Sequence, residues 1–286
     1  MTPADARAGE DAAAPAGDAG AARVDVVVRR DGAVRAAADW LADEVPVALV
    51  FNGLSHAVML ATPLALEDFA LGFGLTEGLL ARPDELYEVE VVPDPAGLRV
   101  EMTVAGACFA RLKDRRRSLA GRTGCGLCGT ESLEQVEPPL PPLAPCDAPL
   151  DPRAIAAALR AVPAHQPLQQ RTGATHAAAW CGLDGALRLV REDVGRHNAL
   201  DKLVGAMVAG GVDPRDGFAC ITSRASVEMV RKAVAAGITA LVAVSAPTAR
   251  AVDVARRAGL ALAGFARRDE LVLYAGAQRF EGPSRP

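Results

Sequence analysis

Two cysteines stand three positions apart in the segment Gly124-Cys-Gly-Leu-Cys-Gly129. A thiol attacks as its thiolate, and a free cysteine has a pKa of about 8.5, which neighbouring cations lower. Arg111, Lys113, Arg115, Arg116, Arg117 and Arg122 crowd the approach to this pair. Glycines at 124, 126 and 129 let the backbone turn tightly and leave both sulfurs accessible. One sulfur can then carry a transferable sulfur atom while the other resolves it. Cys125 and Cys128 are therefore the candidate catalytic residues, and sulfur transfer is their chemistry. The spacing admits two other readings. Half of a structural zinc site is one, but such sites take four ligands; no second C-x-x-C occurs, and Cys108 or Cys146 would have to complete the set. A thioredoxin-like dithiol is the other, although the flanks lack a strong preceding strand and a long following helix. Cytidine-deaminase zinc chemistry needs H-x-E and P-C-x-x-C, whereas His197 precedes Asn198-Ala199 and Gly124 precedes Cys125. No metal site is predicted.

A second polar group gathers in the C-terminal half. Arg171-Thr-Gly-Ala-Thr-His176, Glu192-Asp-Val-Gly-Arg-His-Asn198 with Asp201 and Lys202, Thr222-Ser-Arg-Ala-Ser226 and Ser245-Ala-Pro-Thr248 each fall near a predicted strand end or helix start. Ligands of open α/β sheets bind at the carboxyl ends of strands. Helix N-termini there offer N–H groups to phosphate, and Arg196 and Arg224 add charge. An anionic, phosphate-bearing ligand is the functional expectation. The plain alternative is that Ser and Thr here are helix caps, that His176 and His197 are structural, and that Glu228 and Lys232 form a surface i,i+4 pair.

The elements that must position these groups divide at a proline-rich stretch, Glu137 to Pro145, read as a linker. Before it, strands are expected at 24–28, 47–51 and 98–104, with a turn at Asn52-Gly53 and a helix after Thr62-Pro63. After it, Asp151-Pro152 opens a helix and Asp184-Gly185 turns a hairpin. Helices over 197–208, 227–236 and 249–257 then alternate with strands over 218–222, 240–244, 260–265 and 271–274. The fold class is α/β, with a partly parallel layered C-terminal domain over 146–286 and a smaller N-terminal α+β domain over 23–145; residues 1–22, rich in Ala, Gly, Asp and Pro, read as a disordered tail.

Composition limits the partners. The chain of 286 residues is half hydrophobic, 23% charged and of net charge -4, so it is not built to neutralise nucleic-acid phosphates. No apolar run is long enough to span a membrane, and the N-terminus lacks a secretory signal, which together with six sparse cysteines points to a reducing cytoplasm.

Taken in order, Asn52-Gly53, Thr62-Pro63, Glu67-Asp68, Gly72-Phe73, Glu77-Gly78, the glycine-cysteine loop, Arg171 to His176, Glu192 to Asp201, Thr222 to Ser226 and Val244 to Thr248 resemble the FdhD family of formate dehydrogenase accessory sulfurtransferases, from about Val24 to Tyr274. The resemblance implies a cytidine-deaminase-like C-terminal fold and a homodimer. It implies that a cysteine desulfurase supplies sulfur as a persulfide on Cys125, with Cys128 also needed or assisting. It implies that the sulfur passes to the molybdenum cofactor, as bis(molybdopterin guanine dinucleotide), before that cofactor enters formate dehydrogenase. The family's cofactor-binding segment falls on Phe265, Ala266, Arg267, Arg268, Asp269 and Glu270, where this chain carries no glycine. The competing expectation is a cofactor-binding chaperone whose cysteines are structural or zinc-bound.

Overall fold

The computed structural model describes residues 19–119, 140–267 and 270–280. Their strands form three sheets in a mixed α/β arrangement. β1 (Ala21–Arg30) and β2 (Ala33–Ala42) pair as an antiparallel ribbon, which begins inside the segment read as a tail. β3 (Val45–Phe51), β4 (Leu54–Ala61), β5 (Leu86–Asp94) and β6 (Gly97–Val104) make a four-stranded sheet in the order β4-β3-β6-β5. Strand alternation turns Val47, Leu49, Val100 and Met102 inward, onto Leu66, Phe69 and Phe73 of α1 (Leu66–Thr76) and Cys108 and Leu112 of α2 (Gly106–Leu119).

The third sheet has six strands in the order β12-β11-β10-β9-β7-β8. These are β7 (His176–Gly182), β8 (Leu187–Asp193), β9 (Gly217–Ile221), β10 (Ala240–Ala243), β11 (Ala261–Arg267) and β12 (Glu270–Ala275). β9, β10 and β11 run parallel, while β7, β8 and β12 are antiparallel to their neighbours. One face packs on α5 (Arg196–Ala209), α6 (Val227–Ala235) and α7 (Ala249–Ala258). The other carries α3 (Pro152–Ala161), started by Asp151, whose carboxylate accepts from the Arg153 N–H at 2.8 Å. α4 (Pro167–Thr172) leads from there into β7. The described part of the proline-rich segment is not a free linker. Leu140 and Leu143 pack on the α5–α7 core, and the Leu143 N–H donates to Ala258 O at 2.9 Å.

α1 and α5 join the two larger sheets, and two glycines set how close they come. A Cβ at Gly72 would overlap the Asp201 carbonyl, and one at Gly205 would overlap the Asp68 carbonyl. Around this backbone-to-backbone contact lie charged groups that are buried and paired. Lys202 and Asp193, both without exposure, form an ion pair at 2.6 Å. Lys202 Nζ also donates to Thr62 O at 2.8 Å. Asp193 accepts from the N–H groups of Thr62 and Gly195 and from Asn198 Nδ2, and Asn198 reaches on to Leu60 O. Asp68 pairs with Arg191 at 2.8 Å. Lys232 does not form a surface pair with Glu228. It is buried, bonded to Asp201 at 2.9 Å, Glu77 at 2.7 Å and the Thr76 hydroxyl at 3.0 Å, because its apolar stem lies in the helix interface and its ammonium must find anions there. Burial pushes the Asp201 carboxyl up to about 6, against the pull of Lys232.

Candidate functional site

Cys125, Cys128 and Arg122 lie outside the described residues; the structure describes the helix that leads to them. The basic run before them is helical rather than an irregular approach, since Lys and Arg are good helix formers and Cys108 and Leu112 give α2 a buried face. Arg111 is tied into the fold. Its guanidinium donates to Leu79 O at 2.9 and 3.1 Å and pairs with Glu85. The Ala81 N–H, and after it Arg111, hold the Glu85 carboxyl below its usual range. Lys113 is exposed, with its ammonium 4.3 Å from the Phe109 ring centroid. Burial pushes the Cys108 thiol up, which suits a core residue and not a reactive one.

The second group divides into framework and cleft. Glu192 accepts the first N–H groups of α4, from Leu168 at 3.0 Å and Gln169 at 2.8 Å, and the Thr175 hydroxyl at 2.9 Å, so it is a helix cap. Asp193, Asn198, Asp201 and Lys202 belong to the α1–α5 joint. Arg171 stacks on Trp40 of β2 at 3.2 Å. Thr222 ties the ends of β7 and β9 through Ala177, and Thr248 caps α7 by accepting from Ala251 N. What remains faces the carboxyl ends of β9, β10 and β11. Arg196 and His197 occupy the first turn of α5, and their Nε and Nε2 atoms are buried without a protein partner. Gly195 and Ser226 stand at the N-termini of α5 and α6 and make no side-chain cap bond. His197 is held below the usual imidazole range by burial and then by Arg196, and so is His176. Both rings are therefore neutral near pH 7, beside a permanent guanidinium charge.

Two depressions meet at this edge, sharing Gln166 and Thr222. One, of about 270 Å³, lies between α3 and the sheet, with Cys220, Ile221 and Val244 in its wall and Arg160, Arg267 and Glu270 among its polar lining. The other, of about 430 Å³, is lined by Gln169, Gly173, Thr175 and His176. Of the cofactor-binding segment expected from the family resemblance, Ala266 is buried in the first cavity, and Arg267 and Glu270 are register partners beside it. Arg268 and Asp269 lie outside the described residues. Phe265 is exposed with a left-handed φ of 50°, an uncommon state for a bulky residue, and its N–H bonds Ser245 O at 3.2 Å. Arg160, Gln166 and Cys220 escape sequence reasoning: Arg160 reads as the polar side of an ordinary amphipathic helix, and Cys220 as an interior strand residue. Among the described residues, no three His, Cys, Asp or Glu side chains cluster in a way that could hold a metal ion.

Comparison with known proteins bears on this arrangement directly. The FdhD/NarQ family model matches residues 42–281. The chain belongs to the FdhD/NarQ family. A "Sulfur carrier protein FdhD" of Variovorax paradoxus is 59% identical over 244 residues, spanning 85% of this chain and 87% of that one. One of the same description from Chromobacterium violaceum is 54% identical over 246 residues, with 85% and 91% covered. A crystal structure from Desulfotalea psychrophila, described as that of a formate dehydrogenase accessory protein, superposes with a TM-score of 0.72 at 24% identity over 91% of this chain and 99% of that one.

Proposed function

We propose that this chain is a cytoplasmic sulfurtransferase that takes sulfur from a cysteine desulfurase and passes it to the molybdenum cofactor destined for formate dehydrogenase. The observation that carries the reading is the conjunction, in one chain 59% identical over 244 residues to a sulfur carrier, of a two-cysteine segment with buried Arg196 and His197 nitrogens that have no protein partner at the first turn of α5. In the first step the donor's persulfide gives its outer sulfur to Cys125: donor–S–S⁻ and Cys125–SH become donor–SH and Cys125–S–S⁻, with no net oxidation. In the second step the Cys128 thiol attacks the inner sulfur, releasing the outer one as sulfide and leaving a Cys125–Cys128 disulfide. A cellular dithiol then reduces that disulfide.

The acceptor is read as bis(molybdopterin guanine dinucleotide), bound as substrate. Its phosphates suit the free N–H groups at the N-termini of α5 and α6 and the Arg196 guanidinium. Phe265, Ala266, Arg267, Arg268, Asp269 and Glu270 are the proposed wall of that site. The reading also takes the six-stranded, three-layered part, over 146–286, as a cytidine-deaminase-like domain, residues 23–145 as the smaller domain, and the working molecule as a homodimer.

The test is intact mass after incubation with a desulfurase and cysteine. Wild type gains one sulfur atom, and Cys125→Ser gains none and fails to mature formate dehydrogenase in cells while keeping its melting temperature. A Cys125→Ser strain with active formate dehydrogenase sinks the assignment. Stoichiometric zinc that is lost in Cys128→Ser would favour the chaperone reading instead.

A further inference from the structure

The polar depression at the strand-end edge is built largely by one short element. Of its lining residues, Gln166 and Gln169 stand at the N-cap and in the body of α4, and Gly173, Ala174 and Thr175 form the loop that leaves it. That loop hangs on the helix. Gly173 turns it with a left-handed φ of 69°, and its N–H donates to Gln169 O at 2.8 Å. The Ala174 N–H donates to the Thr172 hydroxyl at 3.3 Å, and the Thr175 N–H to the Gln169 side-chain oxygen at 2.9 Å. Where α4 sits therefore decides where the lining of the depression sits.

A helix of six residues cannot hold itself in water. α4 is fixed from outside: Leu168 is buried, and Glu192 caps the first N–H groups. The remaining support comes from the β1–β2 ribbon. The Arg171 guanidinium carbon lies 3.2 Å from the centroid of the Trp40 ring. Arg171 and Gln169 are two residues apart, about 200° around a helix, so one side chain turns to the ribbon and the other to the depression. Neither Arg171 nor Trp40 lines the depression itself.

Trp40 is well placed to act as an anchor. It stands two residues before the end of β2 and five before the start of β3. The Asp43 N–H donates to Gly20 O at 2.8 Å and Ala21 is buried, so this end of the ribbon is closed and held. Among the described elements outside the ribbon, α4 alone packs extensively on it. The stack thus ties a strand of the N-terminal part to the element that shapes a C-terminal depression.

We propose that Trp40 is a positioning residue for the ligand of the strand-end cleft. Through Arg171 it fixes α4, and so holds the loop over 173–175 and His176 in the arrangement that receives a nucleotide. The inference rests on the reading above that the cleft takes a phosphate-bearing guanine nucleotide, and adds to it a residue that the ligand does not touch.

Calorimetry with GDP on the full chain tests it. Wild type should bind, and Trp40→Ala should bind about fivefold more weakly at an unchanged melting temperature, the effect of losing one cation–π contact. Trp40→Leu, which keeps apolar cover without the ring, should be as weak as Trp40→Ala. Trp40→Phe, which restores a ring beneath the guanidinium, should recover most of the affinity. In an Arg171→Leu background, Trp40→Ala should have no further effect, a comparison that sets aside any other partner of Arg171. A wild type that does not bind GDP overturns the nucleotide reading, and this inference with it. If wild type binds, three results overturn the positioning role and leave the nucleotide reading standing: full affinity in Trp40→Leu, no recovery in Trp40→Phe, or losses that add in the double variant.

Discussion

The α1–α5 joint and the strand-end cleft draw on the same short stretch of chain, residues 192–202, yet they treat polar groups in opposite ways. In the joint, Asp193, Asn198, Asp201 and Lys202 are buried and each has protein partners. At the edge of the cleft, in the first turn of α5, Arg196 and His197 stand between them in sequence, and Arg196 Nε and His197 Nε2 are buried without any. Arg196 and His197 lie in the first turn of α5, where N–H groups have no intrahelical partners, and Asp201, Lys202 and Gly205 lie farther along it, where α5 meets α1. Polar residues crowded in a sequence are therefore not one site: those the protein satisfies hold the fold, and those it leaves unsatisfied call for a separate account.

The sharpest way to break this comparison is at the joint. Lys202→Met leaves the Asp193 carboxylate buried without its cation and should cost about 3–5 kcal/mol in urea unfolding. Lys202→Met/Asp193→Asn should recover a good part of that loss; a double variant no more stable than the single one would mean the ion pair is not the cause. Gly205→Ala comes next. Its methyl group overlaps the Asp68 carbonyl, and the helices must part, at about 2–3 kcal/mol. A stability within 0.5 kcal/mol of wild type, roughly the scatter of neutral surface changes, would refute the close contact.

At the cleft the order reverses, with little effect on stability and a large one on binding. Arg196→Gln should melt like wild type but bind GDP about tenfold more weakly by calorimetry, as expected for one lost charge-assisted hydrogen bond. Equal GDP affinity for variant and wild type would move the phosphates elsewhere.

The smallest effect is a pH dependence of opposite sign in the two regions. His197 has a lowered folded pKa, so the unfolded chain binds the proton more readily, and stability is lost as pH falls below about 6.5. Asp201 has a raised folded pKa of about 6, so the folded chain binds the proton more readily, and its contribution is present at low pH and lost as pH rises through 6. His197→Gln should flatten the fall in melting temperature between pH 7 and 5, and Asp201→Asn should steepen it. Superimposable pH profiles for all three proteins would remove both assignments.

Much of the C-terminal sheet was legible in the sequence because its signals are local. The apolar strands 218–222 and 240–244 and the helices after Ser226 and Thr248 announce themselves through alternation and caps. β2 did not, since Ala33–Ala42 is alanine-rich and lacks the β-branched run that marks β1. The basic helix α2 was read only as a charge cluster, and Arg111 as one of its members, because its partners Leu79 and Glu85 lie 32 and 26 residues away. Lys232 failed in the same way. Glu228 is four residues off and suggests a surface pair, while the true partners, Asp201 and Glu77, are 31 and 155 residues distant. The stretch from Glu192 to Lys202 was legible only as one polar group, and the burial and pairing of its neighbours separate Arg196 and His197 from them.

The glycine contact between α1 and α5 also governs when the molecule can exist. Gly72 is made early, and the backbone it must touch, at Asp201, arrives only after the chain has grown past the cysteines, α3, α4 and the β7–β8 hairpin. At about 5–20 residues per second, that interval is on the order of ten seconds of synthesis. During it the groove cut by Gly72 is open, Thr62 lacks Asp193 and Lys202, and Thr76 and Glu77 lack Lys232. The four-stranded sheet is thus born with a helix face that only the C-terminal half of the chain completes.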